Sequence, residues 1–398
     1  MTLGVTNRVA LRIKPEATWG TTPTTGNYYG LRITGETLKY AIQTVQSNEF
    51  RSDRMITDLV QVAGEATGDI NFEFSYGEFD SLLASALQGP WSAIGTGGAT
   101  TGTATYVSST GLTITGASLT NLVAGQWFRI VDATTTANTG WHKAVTVPTA
   151  TTLTVASGFT AATGNAGVVV QAARIVNSTS QTSFAIERNN ADLTQFGMFN
   201  GMTPSRLSLN LTPGQILTGS ISFMGKSASA QAGTSAMPGT AVTSLTNSIY
   251  NSVSNVFNIL EAGAALTNTY AKSLTINVDN SLRGQTAIGN LANVGIAAGN
   301  SVITGTLELY FADATYLNKF INGTASTLEL RIGASSTGIG YRIAFPNIKY
   351  TDGAAATPGA NQDVTLALPF QALRDSTSGY QMIVDRGGDA VTLWSTGT

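Results

Sequence analysis

Between Gly68 and Gly89 the chain changes its hydrophobic period. Up to Tyr76 the apolar residues Ile70, Phe72, Phe74 and Tyr76 alternate with Asp69, Asn71, Glu73 and Ser75. Successive strand side chains point to opposite faces, so this stretch predicts a strand that is apolar on one face and polar on the other. From Phe79 onward Phe79, Leu82, Leu83, Ala86 and Leu87 recur at three and four, which places them on one helical face, and Gly89 with Pro90 stops the helix. The helix is expected to fold back onto the apolar side of its own strand.

The same change of period recurs downstream. Aligning Gly68 with Gly305 without a gap sets Ile70 on Leu307, Phe72 on Leu309, Phe74 on Phe311, Phe79 on Tyr316 and Leu83 on Phe320, and the second helix closes at Asn322 and Gly323. Each stretch follows an alternating strand and a long polar loop: Leu31 to Leu38 then Ala41 to Glu65, and Leu274 to Val278 then Asp279 to Asn300. Two alternating strands come after each. Leu207, Leu209, Leu211 and Leu217, Ile221, Phe223 mark them in the first half; Ile343, Phe345 and Val364, Leu366, Leu368, Phe370 mark them in the second. A repeat of this kind predicts two tandem β-rich units, sandwich or barrel, with one helix each.

Residues 94–175 interrupt the first unit and have no counterpart in the second. There Leu112 and Ile114, Trp127, Phe128 and Ile130, Val145 and Val147, Leu153 and Val155, and Val168 to Val170 mark short strands among Thr, Gly and Ala, predicting a small inserted β-barrel or sandwich on the surface. The expected division is a discontinuous first unit of residues 1–93 and 176–226, the insert at 94–175, a low-complexity linker at 227–254, and a second unit at 255–398. Tyr380, Met382 and Val384 predict one last edge strand. The fold class read this way is mainly β, a β-rich α+β protein.

Length leaves room for more than one core: 398 residues against roughly 100–200 per domain. Charged residues make up 11%, against about 25% in an average soluble domain. Such a surface has little charge to keep copies apart, which suits a protein covered by other copies of itself; an exported, threonine-rich β protein is the plainer alternative. A net charge of −2 offers no basic footprint for phosphates. Without cysteine there is neither a disulfide framework nor a thiolate metal site. No stretch approaches the ~18–20 apolar residues of a membrane span, and the start of the chain lacks an apolar signal core. A soluble chain without a cleaved export signal is expected.

Catalytic constellations are not evident. The single histidine, His142, stands beside Trp141 with no partner for a metal site or triad. The Gly-rich pieces Gly95 to Gly98 and Gly338 to Gly340 lack the lysine and the strand-to-helix setting of a phosphate loop. Asp69 and Glu73 on one strand would sit about 13 Å apart at ~3.3 Å per residue, beyond the roughly 5–9.5 Å of a glycosidase pair. No cofactor and no metal are expected. In Ser47 to Arg54 the residues Glu49, Arg51 and Asp53 share one side of an extended segment. They read either as a solvated loop with weak ion pairs or as an arm that fixes the register of a neighbouring subunit.

Several of these stretches, taken in order, resemble the major tail tube proteins of long-tailed, non-contractile bacteriophages, in the group with a duplicated tube unit. They are Lys14 to Pro23, Ser47 to Arg54, Gly68 to Phe74, and Leu282 to Gly289 running on to Thr304 to Phe311. The resemblance covers about residues 5–90 and 178–385. It implies a virion protein that assembles in the host cytoplasm into stacked rings, a conduit for DNA and the tape measure protein, meeting tail terminator and tail tip proteins at its ends. Lumen-facing residues would be Asp69, Asn71, Glu73, Ser75, Thr218, Ser220, Ser222, Thr304, Thr306 and Glu308, carboxylates and hydroxyls without Lys or Arg, past which DNA slides. Contacts between subunits or rings would come from Glu49, Arg51, Asp53, Arg54, Arg283 and Gln285. With two units per chain, a trimeric ring of pseudo-sixfold symmetry is expected, ahead of six chains with the second unit outside the barrel. The alternative is a β-rich surface or carbohydrate-binding protein, monomeric, whose insert binds a ligand that shields Trp127 or Trp141.

Overall fold

Strands form where the chain alternates, because only a period of two puts every apolar side chain on one face. A computed structural model of the protein describes residues 3–237, 239–266, 268–356 and 359–388. In chain order the principal elements are β1 (Val9–Pro15), β2 (Lys39–Gln46), β3 (Leu59–Glu73), α1 (Asp80–Ala86), β4 (Phe184–Asn190), β5 (Gln195–Leu211), β6 (Thr218–Gly225), β7 (Val256–Glu261), β8 (Ala271–Asp279), β9 (Val302–Tyr310), α2 (Thr315–Ile321), β10 (Ser326–Gly333), β11 (Gly340–Tyr350), β12 (Thr365–Ala372) and β13 (Ile383–Gly387). The fold is mainly β, as the periodicity predicts.

Strands β3, β6, β5, β8, β9 and β12 form one antiparallel sheet in that spatial order. Its core face carries Ile70, Phe72, Ile221, Leu207, Leu209, Ile276, Val278, Leu307, Leu309, Leu366, Leu368 and Phe370, all buried in one continuous apolar cluster. Full burial stabilises by about 1.5–3 kcal/mol for each large side chain, so this face holds the sheet to the layers behind it.

Both halves of the chain reach this sheet by the same route. After β3 come α1, then β4, which pairs with β1 and with the first part of β5, then β6. After β9 come α2, then β10, which pairs with β7 and β11, then β12. Phe79, at the start of α1, stacks on Phe72 with ring centroids 4.1 Å apart, so the helix does fold back on its strand. The aligned glycines are under one constraint: a Cβ on Gly68 would lie 2.6 Å from the Thr37 carbonyl oxygen, and one on Gly305 would lie 2.4 Å from that of Thr275. Neither position admits a side chain. The halves meet where Arg206 to Leu211 of β5 pair residue by residue with Asp279 to Leu274 of β8.

The insert closes into a six-stranded barrel of Ala99–Tyr106, Gly111–Thr115, Trp127–Val131, Gly140–Thr149, Thr152–Val155 and Ala162–Gln171. It has its own core around Tyr106, Ile114, Phe128, Ile130 and Leu153. The barrel lies against the second half of the chain. Trp127 donates its indole N–H to Glu329 at 3.3 Å, Trp141 donates to the Gly338 carbonyl at 2.9 Å, and the Arg342 guanidinium lies 3.4 Å from the centroid of the Trp127 ring.

Two expectations need correction. Leu31 to Leu38 is not one strand, because this segment changes partners midway: Tyr29 and Gly30 pair with β1, and Gly35–Glu36 pairs with β3. Nor is the last strand an edge. β13 lies between β11 and the strand Ala173–Val176 at the root of the insert, which needs a partner for its backbone groups. Residues 389–398 of the expected second unit lie outside the described residues.

A buried polar cluster ties these parts together. At the start of α1 the Asp80 carboxylate accepts hydrogen bonds from the Arg386 guanidinium of β13 and from the Tyr341 hydroxyl of β11, the latter at 2.5 Å. The Tyr341 oxygen also accepts the Gly77 N–H at 2.7 Å, and Arg386 donates on to the Gly97 carbonyl at the entry to the insert. Burial pushes the Asp80 carboxyl up, and Arg386 and Tyr341 oppose it. Replacing Arg386 with Ala leaves that carboxyl buried without its counter-ion and with the Tyr341 hydroxyl as its remaining partner in the cluster, a change that costs about 3–5 kcal/mol. Chemical denaturation of Arg386→Ala is expected to show a loss of that size, and adding Asp80→Ala is expected to recover part of it.

Candidate assembly surfaces

Opposite its core face the six-stranded sheet is mostly polar, interrupted on β9 and β12 by Val302, Ala367 and Pro369. Strand registers set Glu73, Thr218, Asn210, Thr275 and Thr306 in one row, and Asn71, Ser220, Ser208, Asn277 and Thr304 in the next. A third row holds Asp69, Ser222, Arg206 and Asp279. Glu308 stands opposite Ser273 on the same face. The sequence-derived lumen set is therefore brought together, with one exception. β3 ends at Glu73, and Ser75 is buried, its hydroxyl accepting a hydrogen bond from Arg32 at 3.3 Å. The alternation runs on past the end of the strand, which is why periodicity alone misplaces Ser75.

The expectation of a face without cations is also corrected. Arg206 pairs with Asp279 at 2.8 Å, and Lys272 pairs with Glu308 at 3.0 Å. The expected set drew on β3, β6 and β9 alone, and both cations stand on the strands between them, β5 and β8. Along the six strands the carboxylates are Glu65, Asp69, Glu73, Asp279 and Glu308, against Arg206 and Lys272 alone. Burial would raise the Glu308 carboxyl, but hydrogen bonds from Lys272, Ser273 and Thr365 hold it below the usual carboxylate range.

The segment expected as a polar loop, Ala41 to Glu65, is a projecting hairpin in which β2 pairs with the first half of β3. Its tip turns instead of running extended, with Arg54 in the left-handed region at φ 60°. The turn brings Arg51 onto Asp53 at 2.6 Å, and the Glu49 carboxylate accepts the Thr57 hydroxyl at 3.0 Å. Arg51 holds the Asp53 carboxyl below its ordinary range. Glu49, Arg51 and Asp53 are thus engaged within the tip, and beside the exposed Arg54 the hairpin presents large apolar side chains: Phe50 is 106% exposed, Met55 69% and Ile56 64%. A shorter hairpin, Arg283–Gln285 with Gly295–Ala297, carries Arg283 and Gln285 and presents Ile288 at 104% exposure. The two hairpins touch where the Gly64 N–H donates to the Leu291 carbonyl at 2.8 Å.

Among the described residues no three His, Cys, Asp or Glu side chains gather as a metal site. His142 packs against Phe128 and Phe159, with ring centroids at 5.9 and 4.7 Å, and its Nε2 lies 3.0 Å from the Asn138 carbonyl oxygen. The buried Glu16 carboxylate is occupied by the N–H groups of Gly20 and Gly201 and by the Ser183 hydroxyl. Trp127 and Trp141, the candidates for ligand shielding, are spent on docking the barrel.

Burial pushes the His142 pKa below its ordinary 6.5. As pH falls, the unfolded chain takes up that proton first, so the stability His142 contributes is present above this value and lost below it. The thermal stability of the barrel is expected to fall as the pH drops from about 7 to 5.5, a range set by the ordinary histidine pKa. His142→Gln should flatten that dependence; an unchanged pH profile would count against a packed, neutral imidazole.

The family described as phage tail tube protein matches residues 6–372. No curated protein matches the chain. The matched span takes in both hairpins and every strand of the polar sheet, and the chain belongs to the phage tail tube protein family.

Proposed function

We propose that the chain polymerises into stacked rings that form the tube of a long, non-contractile phage tail, with the polar sheet face lining the bore through which DNA is ejected. The observation that carries this reading is the junction of β5 with β8, which fuses two similarly built sets of strands into one surface, mostly polar on its free side. In this reading the sets are copies of one unit, residues 1–93 with 176–226 and 255–398, joined by 227–254 and decorated by the barrel at 94–175. A sheet with free edge strands is a template for another copy, and repeating one junction about an axis closes it.

The junction also supplies a register for that closure. Ser208, Leu209 and Asn210 stand opposite Ser220, Gly219 and Thr218, as Ala354, Ala355 and Ala356 stand opposite Ala367, Leu366 and Thr365 in the second half. The outer edge of Ser208 to Asn210 takes β8. By the same geometry the outer edge of Ala354–Ala356 takes Thr37 to Lys39 of the next chain, the segment that holds the place of β8 beside β3. Three chains then complete the ring with pseudo-sixfold symmetry.

In such a bore, phosphates meet carboxylates, hydroxyls and amides, with Arg206 and Lys272 already ion-paired, so DNA passes without a grip. The tape measure protein occupies the same space before ejection, and terminator and tip proteins meet the ends. The apolar hairpins face the next ring. The tube assembles in the host cytoplasm and the chain works as structure, not as an enzyme.

End-on electron micrographs of purified tubes are expected to show three outward knobs from residues 94–175; six would overturn the trimeric ring. Tubes carrying both Asp69→Lys and Glu73→Lys are expected to assemble but to eject DNA more slowly at low salt, and wild-type ejection rates would remove the case for an acidic, non-adhesive lining.

A further inference from the structure

The two halves differ at one corresponding place. In the first half the Phe74 N–H donates to the Leu217 carbonyl at 2.8 Å, and in the second the Phe311 N–H donates to the Val364 carbonyl at 3.0 Å, so the two rims are built alike. The first rim is covered by the chain itself. Tyr250 donates its N–H to the Phe74 carbonyl at 2.8 Å and accepts the Leu217 N–H at 2.9 Å, and its ring lies 6.2 Å from that of Phe74. Tyr250 is 2% exposed. The second rim has no such cover: Tyr310 is 41% exposed, Phe311 36% and Val364 37%, and no described residue of this chain bonds to the Phe311 carbonyl or the Val364 amide.

The position of Tyr250 in its own half identifies what is missing. Asn255, immediately before β7, accepts the Gly333 N–H at 2.9 Å; Arg8, immediately before β1, accepts the Ala191 N–H at 3.1 Å. Five residues back from Asn255 is Tyr250, and five back from Arg8 is Leu3. The segment at Leu3 is apolar and unburied, with Leu3 75% and Val5 53% exposed. It is also anchored as the linker is. The Val5 N–H donates to Asp192 in the turn between β4 and β5 at 2.8 Å, and the Tyr250 hydroxyl donates to Ile339, just before β11, at 3.4 Å.

We infer that in the assembled ring the Leu3 to Val5 segment of one copy lies on the Tyr310, Phe311 and Val364 rim of its neighbour, as Tyr250 to Ser252 lies on the Phe74 and Leu217 rim within the chain. This inference rests on the tube reading. The partner is a second copy of the chain. It brings a short extended segment that adds backbone hydrogen bonds at the rim and buries Leu3 where Tyr250 is buried in the first half. The contact is directional, each copy giving a segment to one neighbour and receiving one from the other, so it propagates around the ring and closes with it.

The chain has no cysteine, so a disulfide reports the contact without background. Tubes of a Leu3→Cys, Phe311→Cys double variant, oxidised and run without reductant, are expected to give dimers and trimers, since bridging needs Cα atoms within roughly 4.4–6.8 Å. Monomers alone from well-formed tubes would overturn the contact and leave the tube reading standing. As a second measurement, Leu3→Asp with Val5→Asp is expected to keep the wild-type melting temperature and to raise the concentration needed for tube formation about tenfold, which corresponds to ~1.4 kcal/mol per contact. An unchanged threshold in that folded variant would also overturn it. A wild-type chain that stays monomeric at every concentration would sink the tube reading and this contact with it.

Discussion

The pairing of β5 with β8 is the constraint on which the molecule turns. It joins strands of the two halves into one sheet whose free face, mostly polar, runs from β3 to β12. Its register is set from the buried side. Leu207, Leu209 and Leu211 face the core together with Val278, Ile276 and Leu274, and a slip of one residue would turn all of them outward. The Arg206 and Asp279 ion pair at the end of this pairing is solvent-exposed and contributes little by comparison.

A different kind of bond holds the layers behind the sheet. Asp80, Tyr341 and Arg386 belong to α1, β11 and β13, elements far apart in sequence, and are buried at one point. The gap-free alignment places Leu317 of α2 where α1 has Asp80, and the second half builds its buried cluster on another residue: Glu261 of β7 pairs with Lys319 of α2 and accepts from the Ser326 and Tyr350 hydroxyls. The joints inside the chain are thus ionic and buried, whereas the free rim at Tyr310, Phe311 and Val364 is apolar and partly exposed.

Much of this was legible in the residues because a half-buried strand writes its two faces into a period of two. Ile70 and Phe72 went inward and Asp69, Asn71 and Glu73 outward as alternation requires, and the turn from strand to helix at Gly77 to Phe79 was equally plain. The insert announced itself by composition, and its barrel was among the closures expected. Cross-strand partnership was not legible. Nothing in Leu207 to Leu211 names Leu274 to Val278 as its neighbour, and the first half of β5, buried on both faces around Met198, Phe199 and Met202, shows no alternation at all. Ser75 kept the polar rhythm after the strand had ended. The charged tip at Glu49 to Asp53 drew attention away from Phe50, Met55 and Ile56, because charge patterns suggest partners and exposed apolar residues show themselves only in three dimensions.

The place of β13 has a consequence for how the protein is made. The barrel has a core of its own and can fold as soon as residues 94–175 have left the ribosome, long before β11 and β13 exist. Its seat is different, because the root strand Ala173–Val176 waits for Ile383–Gly387, which follow β11. A nascent chain therefore carries the barrel on a root strand paired only with Ser92–Ala93 until β13 emerges, so the insert folds before it is seated.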